Sequence, residues 1–147
     1  MSIWWSLHLR REAASVPLAR RLLLGTMETA GVDPDVSYDL SLALSEACAN
    51  AVEHGGESGL PDSSAAYRVT AYLDGEKCRI EVTDSGPGFP PVRPLRPIPM
   101  EAENGRGLCL IRELADHVQI GNKPGRGAVV SFDKILKWRK DAPLMAV

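Results

Sequence analysis

The chain has little of what marks several large classes of protein. It carries 17 basic against 19 acidic side chains, a net charge of −2. We therefore expect no direct nucleic-acid binding, which usually needs an excess of basic charge. No apolar run approaches the roughly 18 residues of a membrane-spanning helix. The N-terminal arginines follow the first apolar stretch, which is the reverse of the order in a signal peptide. We expect no membrane contact and a cytoplasmic location.

Cysteine and histidine are also scarce. Cys48, Cys78 and Cys109 lie about thirty residues apart among apolar neighbours, and the three histidines are equally scattered. This spacing predicts neither a disulfide framework nor a zinc site.

What remains is typical of one globular domain, with 44% hydrophobic and 24% charged residues in a chain of 147. Periodicity and turn signals predict strands at residues 3–10, 67–73, 77–83, 118–120 and 128–132, and helices at residues 17–31, 35–54 and 108–115. This order predicts an α+β fold, a two-layer α/β sandwich with a mixed sheet of about five strands and helices on one face. We assign residues 1–135 to the domain and expect residues 136–147 to form a frayed tail.

Proline is concentrated in one segment. Six prolines lie between Pro87 and Pro99, a density that no helix or central strand tolerates. Long connections inside compact domains are usually lids or binding loops. We therefore predict a lid over residues 90–104.

The second predicted helix holds one acid and one amide between residues 40 and 52. Glu46 and Asn50 lie one turn apart, so they are neighbours on the helix surface. A carboxylate among small apolar side chains needs compensation. Either it reaches water or a neighbouring loop, or it is a general base beside an amide oxygen that binds a metal such as Mg²⁺. The packing face of this helix is predicted to consist of Leu40, Leu44, Ala47, Cys48 and Ala51.

Asp84 ends an alternating stripe of apolar residues. Residues 78, 80 and 82 share one face of the predicted strand, and Asp84 continues that face. Gly86 and Gly88 follow directly and permit a ligand to approach the backbone. Asp84 either caps a turn or accepts a hydrogen bond from an amino group of a ligand.

The third candidate is Gly105-Arg106-Gly107, directly before the predicted helix that begins at Leu108. Free N–H groups and the positive end of the helix dipole make such a start an anion site, although glycines there are also ordinary turn formers. A dinucleotide-binding loop is excluded because a proline-rich loop, and not a strand, precedes these glycines. No Walker lysine follows them.

Three stretches of the chain, taken in this order, resemble the sequence boxes of the Bergerat ATP-binding fold. They are SEACANAVEHG, VTDSGPGF and NGRGLCLIRELAD. Gyrase, the ninety-kilodalton heat-shock chaperone, histidine kinases and the mismatch-repair ATPases share this fold. Within it, the chain is most similar to the anti-sigma-factor serine kinases of bacteria, whose small size it matches. The resemblance covers residues 3 to 132.

The resemblance implies a role for each box. Asn50 should hold the Mg²⁺ that bridges the triphosphate, and Glu46 should accept a proton from the attacking hydroxyl. Asp84 should accept a hydrogen bond from the adenine amino group, with Gly86 and Gly88 shaping the base pocket.

The third box should bind the phosphates beneath the lid. The resemblance implies that the N–H groups from Gly105 through Gly107 to Leu108 cradle them. Arg106 is placed to add positive charge to this cradle, and a solvent-facing arginine is the alternative.

The implied protein is an ATP-binding anti-sigma factor with serine/threonine kinase activity. It would transfer the γ-phosphate to an anti-anti-sigma partner of STAS type, bind a sigma factor and form a homodimer. Trp4 and Trp5, on an early strand that could lie at the edge of the sheet, are candidates for an interface. The alternative is a nucleotide-responsive, partner-binding regulator without kinase activity.

The chain departs from the family pattern in two places. Many members carry a threonine at the start of the last strand, where it helps to bind adenine through water. Ala128 stands there in this chain, and Ser131 lies too far along the strand. The lid is also unusually rich in proline. Both differences bear on nucleotide affinity and turnover.

Overall fold

The structure is a computed structural model that describes residues 2–54, 66–84, 103–123, 127–140 and 142. The described strands are β1 (Ile3–Arg10), β2 (Ala66–Leu73), β3 (Lys77–Asp84), β4 (His117–Lys123) and β5 (Gly127–Ile135). The described helices are α1 (Ser15–Ala30), α2 (Pro34–His54) and α3 (Glu103–Leu114). The predicted α+β fold is confirmed. Within the described part of the chain, no helix is long and apolar enough to cross a bilayer.

The five strands form one sheet in the order β1-β2-β3-β5-β4. The prediction of a mixed sheet is wrong, because every pairing between these strands is antiparallel. The β3–α3–β4 crossover does make β3 and β4 parallel to each other, but they are not neighbours. The chain returns from β4 and places β5 between them, so each of the two meets an antiparallel partner.

One face of the sheet packs against the helices. Burial alternates along β2 and β3, with residues 67, 69, 71 and 73 and residues 78, 80, 82 and 84 buried. This alternation follows from the two-residue period of a strand. The predicted packing face of α2 is confirmed, since all five of its residues are buried in the same core cluster. The first helix ends, as predicted, at Gly31, whose φ of 91° is left-handed.

The third helix begins five residues earlier than predicted. It runs from Glu103, so Gly105 and Gly107 lie inside it and do not precede it. Glycine is a weak helix former in an isolated helix, which favours a start after these two residues. Here Leu108 and Ile111 are buried in the core, and tertiary packing of this face outweighs the weak propensity of the glycines.

The structure describes the first part of the C-terminal segment that was predicted as a tail. Residues 136–140 lie against the junction of α1 and α2 and against the β2–β3 turn. The backbone N–H of Asp33 donates to the carbonyl of Lys137 at 2.8 Å, and that of Arg139 donates to the carbonyl of Gly31 at 2.9 Å. The Trp138 indole donates to the carbonyl of Gly75 at 3.1 Å. Residues 141 and 143–147 lie outside the described residues.

Candidate functional site

Glu46 and Asn50 lie on α2 at the margin of its packing face. Both are partly buried, one turn apart, as predicted. Ala43 and Ala47, on either side of Glu46 along the helix, are fully buried. The helix backbone is therefore fixed here by the core, while both polar side chains stay partly accessible.

Helix α3 approaches Glu46 at Gly107. A side-chain carbon built on Gly107 would lie 3.2 Å from Oε2 of Glu46. The structure therefore brings together two motifs that are far apart in the sequence, the acid of α2 and a glycine of α3. The close approach is possible because residue 107 carries no side chain.

The earlier start of α3 changes which backbone donors are free. In a helix whose first residue is Glu103, the N–H groups of residues 103–105 have no intrahelical partner. Gly105 belongs to that group, whereas the N–H groups from Arg106 to Leu108 take part in the hydrogen-bond pattern of the helix. The expected phosphate donors therefore move toward the N-terminus, and the Leu108 side chain belongs to the core. The Arg106 side chain lies outside the described residues.

Asp84 lies at the end of β3 on the inward face, as the alternation predicts, and is only 9% exposed. A buried carboxylate requires hydrogen-bond donors. One of them is the backbone N–H of Ala128, which donates to Oδ1 of Asp84 at 3.1 Å. Ala128 thus supports Asp84 through its backbone, although it lacks the threonine hydroxyl of many family members.

Two further expectations concern residues around Asp84. Ser131 pairs with Glu81 on β3, on the opposite face from Asp84, so it is no substitute for the missing hydroxyl. Gly86, Gly88 and the segment predicted as a lid up to residue 102 lie outside the described residues.

A buried hydrogen-bonded chain beside Asp84 was missed in the sequence. Tyr67 lies opposite Asp84 in the β2–β3 register and is 2% exposed. Its hydroxyl lies 2.5 Å from Oγ of Ser15, which donates to the carbonyl of Glu12 at 2.6 Å. The Cys48 thiol lies beside the same tyrosine. The alternation of residues in β2 could have revealed it in the sequence, because it points Tyr67 inward, where the hydroxyl requires a hydrogen-bond partner.

Burial changes the acidity of this chain of groups. It raises the pKa of the Cys48 thiol from 9.0 to about 12 and that of Tyr67 from 10.0 to about 12, because the charged forms lose their hydration. Burial likewise raises the pKa of Cys78. At neutral pH these thiols stay protonated and unreactive.

The two adjacent tryptophans of β1 have different environments. The strand lies at the edge of the sheet, and Trp4 is 65% exposed there. Trp5 points toward the helices, and its indole donates to Oγ1 of Thr26 at 3.1 Å. Trp4 is therefore the more exposed of the two interface candidates.

Comparisons with known proteins identify the family. A profile described as "Histidine kinase-like ATPase domain" matches residues 9–134. The chain is 32% identical over 132 residues to a "Serine-protein kinase RsbW" of Bacillus licheniformis, covering 82% of this chain and 78% of that protein. It is 29% identical over 114 residues to an "Anti-sigma F factor" of Thermoanaerobacter sp., and the match covers 73% of this chain and 77% of that protein.

A solved structure has the same fold. The crystal structure of the RsbU and RsbW domains of Rv1364c from Mycobacterium tuberculosis matches with a TM-score of 0.66 at 23% identity. The match covers 90% of this chain and 33% of that longer chain. With the profile match over most of the sequence, these findings confirm the resemblance seen in the three motifs. The chain belongs to the histidine kinase-like ATPase domain family.

Proposed function

We propose that this protein is a cytoplasmic anti-sigma factor with serine/threonine kinase activity, which transfers the γ-phosphate of ATP to an anti-anti-sigma partner of STAS type. The observation that carries the proposal is the meeting of Glu46 on α2 with the beginning of α3, one turn from Asn50. Relatives named for serine-protein kinase and anti-sigma activity support it.

Asp84 is the proposed recognition group for adenine. Its Oδ1 accepts the Ala128 N–H, which helps to orient the carboxylate, and the carboxylate is proposed to accept the hydrogen bond from the adenine amino group. Because the bond to Ala128 comes from the backbone, it does not depend on the side chain at that position. Gly86 and Gly88 complete the proposed base pocket.

The residues present fit a magnesium ion held mainly by phosphate oxygens. Mg²⁺ prefers oxygen ligands and takes few from protein when phosphates supply the rest. The amide oxygen of Asn50 is the proposed protein ligand. A triphosphate bound at the N-terminus of α3 would lie near the Glu46 carboxylate, and these like charges repel one another. When bound, the ion supplies the charge neutralisation that this arrangement needs.

Glu46 is the proposed general base. It accepts the proton of the acceptor hydroxyl while the hydroxyl oxygen forms its bond to the γ-phosphorus. The bond from that phosphorus to the bridging oxygen of ADP breaks, and ADP keeps the electron pair. The free N–H of Gly105 at the N-terminus of α3 is a proposed contact to the phosphates, because the dipole there favours negative charge. Arg106 is proposed to add positive charge to the same site.

The protein is also proposed to act as a homodimer that binds a sigma factor. The support is that β1 is an edge strand among the strands that the structure describes and carries the exposed Trp4. An exposed edge strand with an aromatic side chain is a surface that natural proteins usually cover.

Calorimetric titration with Mg–ATP tests the proposal, with Asn50→Ala and Glu46→Ala in parallel. We expect binding in the wild type, loss of affinity in Asn50→Ala, and nearly unchanged affinity in Glu46→Ala. Asn50→Asp is the matched control, because it keeps an oxygen ligand. Phosphate transfer from radiolabelled ATP to a STAS-type partner should be present in the wild type and lost in Glu46→Ala.

Two results would contradict the proposal in different ways. Nucleotide binding without phosphate transfer to any STAS-type partner would identify the protein as a nucleotide-responsive, partner-binding regulator. Absence of Mg–ATP binding would remove the nucleotide site altogether.

A further inference from the structure

Gly107 lies on the side of α3 that faces α2. Leu108 and Ile111 are 3% and 0% exposed, and Ile111 follows Gly107 by one turn, so the two residues share a face. The 3.2 Å between a Cβ built at residue 107 and Oε2 of Glu46 is shorter than the 3.4 Å at which ordinary van der Waals contact begins. A methyl group at this position would therefore press on the carboxylate of Glu46.

The surrounding core determines which atoms would move. Ile111 is fully buried, so α3 cannot rotate to carry an added methyl group away from α2. Ala43 and Ala47, on either side of Glu46, are buried in the core, so α2 cannot shift away from α3 either. The atoms free to move are those of the partly exposed Glu46 side chain. A change at residue 107 would thus be transmitted to the carboxylate itself.

We infer that Gly107 is a positioning residue for Glu46, a role distinct from any contact of its backbone with phosphate. Because residue 107 has no side chain, the Glu46 carboxylate can occupy the position from which it reaches the acceptor hydroxyl. The inference rests on the proposed function, because it takes Glu46 to be the base. A general base acts only within hydrogen-bond reach of the proton that it accepts, and small displacements of a reacting group lower the rate steeply.

Gly107→Ala tests the inference, with Gly25→Ala as the matched control. Gly25 lies on α1, and a Cβ built there meets nothing within 4 Å. Both substitutions replace a helical glycine by a better helix former. We expect Gly107→Ala to bind Mg–ATP within about threefold of the wild type, while the single-turnover rate of phosphate transfer falls at least about tenfold. Gly25→Ala should leave both quantities unchanged.

A double-mutant cycle with Glu46→Asp supplies a readout that a merely structural role would not move. The aspartate is one methylene shorter, so its carboxylate is withdrawn from residue 107. In the Glu46→Asp background, Gly107→Ala should lower the transfer rate less than about threefold, because the group on which it acts has moved away. Thermal unfolding of all variants checks that Gly107→Ala does not lower the melting temperature.

The outcomes separate this inference from the function on which it rests. If the wild type neither binds Mg–ATP nor transfers phosphate, the proposed function fails and the positioning role with it. If the wild type is active and Gly107→Ala behaves like Gly25→Ala, only the positioning role is wrong. A loss of Mg–ATP affinity that equals the loss of rate, or an undiminished effect in the Glu46→Asp background, would also overturn it, since the glycine would then serve the phosphates.

Discussion

Asp84→Asn is the most selective single change in the proposed nucleotide site. The carbonyl oxygen of asparagine can still accept the Ala128 N–H, which now donates to Oδ1 of Asp84 at 3.1 Å. The other oxygen is replaced by an amino group, which is a donor. The substitution therefore keeps the hydrogen bond from Ala128 and presents a donor to the adenine amino group, which is itself a donor.

The magnitude follows from the hydrogen bond that is lost. A hydrogen bond to a charged group contributes about 1.5–3 kcal/mol, and each 1.4 kcal/mol corresponds to about a factor of ten in affinity. We expect Asp84→Asn to weaken Mg–ATP binding about 10- to 100-fold. Because the bond to Ala128 survives, the melting temperature should change by no more than a few degrees. Guanine presents an acceptor at the position of the adenine amino group, so the affinity for Mg–GTP should rise relative to that for Mg–ATP.

Calorimetry with both nucleotides measures these effects. Asp35→Asn is the control, because it removes the same charge at the exposed beginning of α2 and should leave affinity unchanged. Unchanged Mg–ATP affinity in Asp84→Asn, with a folded protein, would refute the assignment of Asp84 to adenine. A fall in affinity accompanied by a large fall in melting temperature would mean that Asp84 acts through the fold.

Three further predictions concern stability and assembly. The free energy of unfolding should fall above about pH 9, because the unfolded chain loses the Cys48 proton while the folded chain keeps it up to the raised pKa of about 12. Urea unfolding should show a loss of about 1.4 kcal/mol per pH unit for this thiol and a flatter profile in Cys48→Ala; equal profiles would contradict this. Tyr67→Phe should lower the free energy of unfolding by about 1 kcal/mol through loss of the bond to Ser15, whereas Tyr72→Phe, at a side chain that is 37% exposed, should have no effect. Trp4→Ser should weaken self-association in sedimentation without lowering the melting temperature, and a monomeric wild type would refute the proposed dimer.

Much of the candidate site could be predicted because its features are local. The period of α2 placed Glu46 and Asn50 together at the margin of a buried stripe, and the period of β3 carried Asp84 to the inward face. Both follow from the geometry of a single element, 3.6 residues per turn or two residues per repeat. Gly31 could be predicted as a helix end for the same reason, since its left-handed conformation is a property of one residue.

Other features depend on which elements become neighbours. The position of β5 between β3 and β4 made the sheet antiparallel, and no pattern within one strand encodes that order. Burial of Leu108 and Ile111 extended α3 through two glycines, although local propensity alone predicted a later start. Lys137 and Arg139 are hydrogen-bonded to backbone groups at the α1–α2 junction, a pairing that no local sequence pattern encodes.

The features that could be predicted and those that could not therefore differ for a physical reason. The sequence by itself determined which residues each helix and strand turns inward, because backbone geometry repeats over a few residues. Only the tertiary structure decided that Gly107 meets Glu46, that Tyr67 bonds to Ser15 and that Ala128 supports Asp84. These contacts join residues from different elements, and their distances depend on how whole faces pack together.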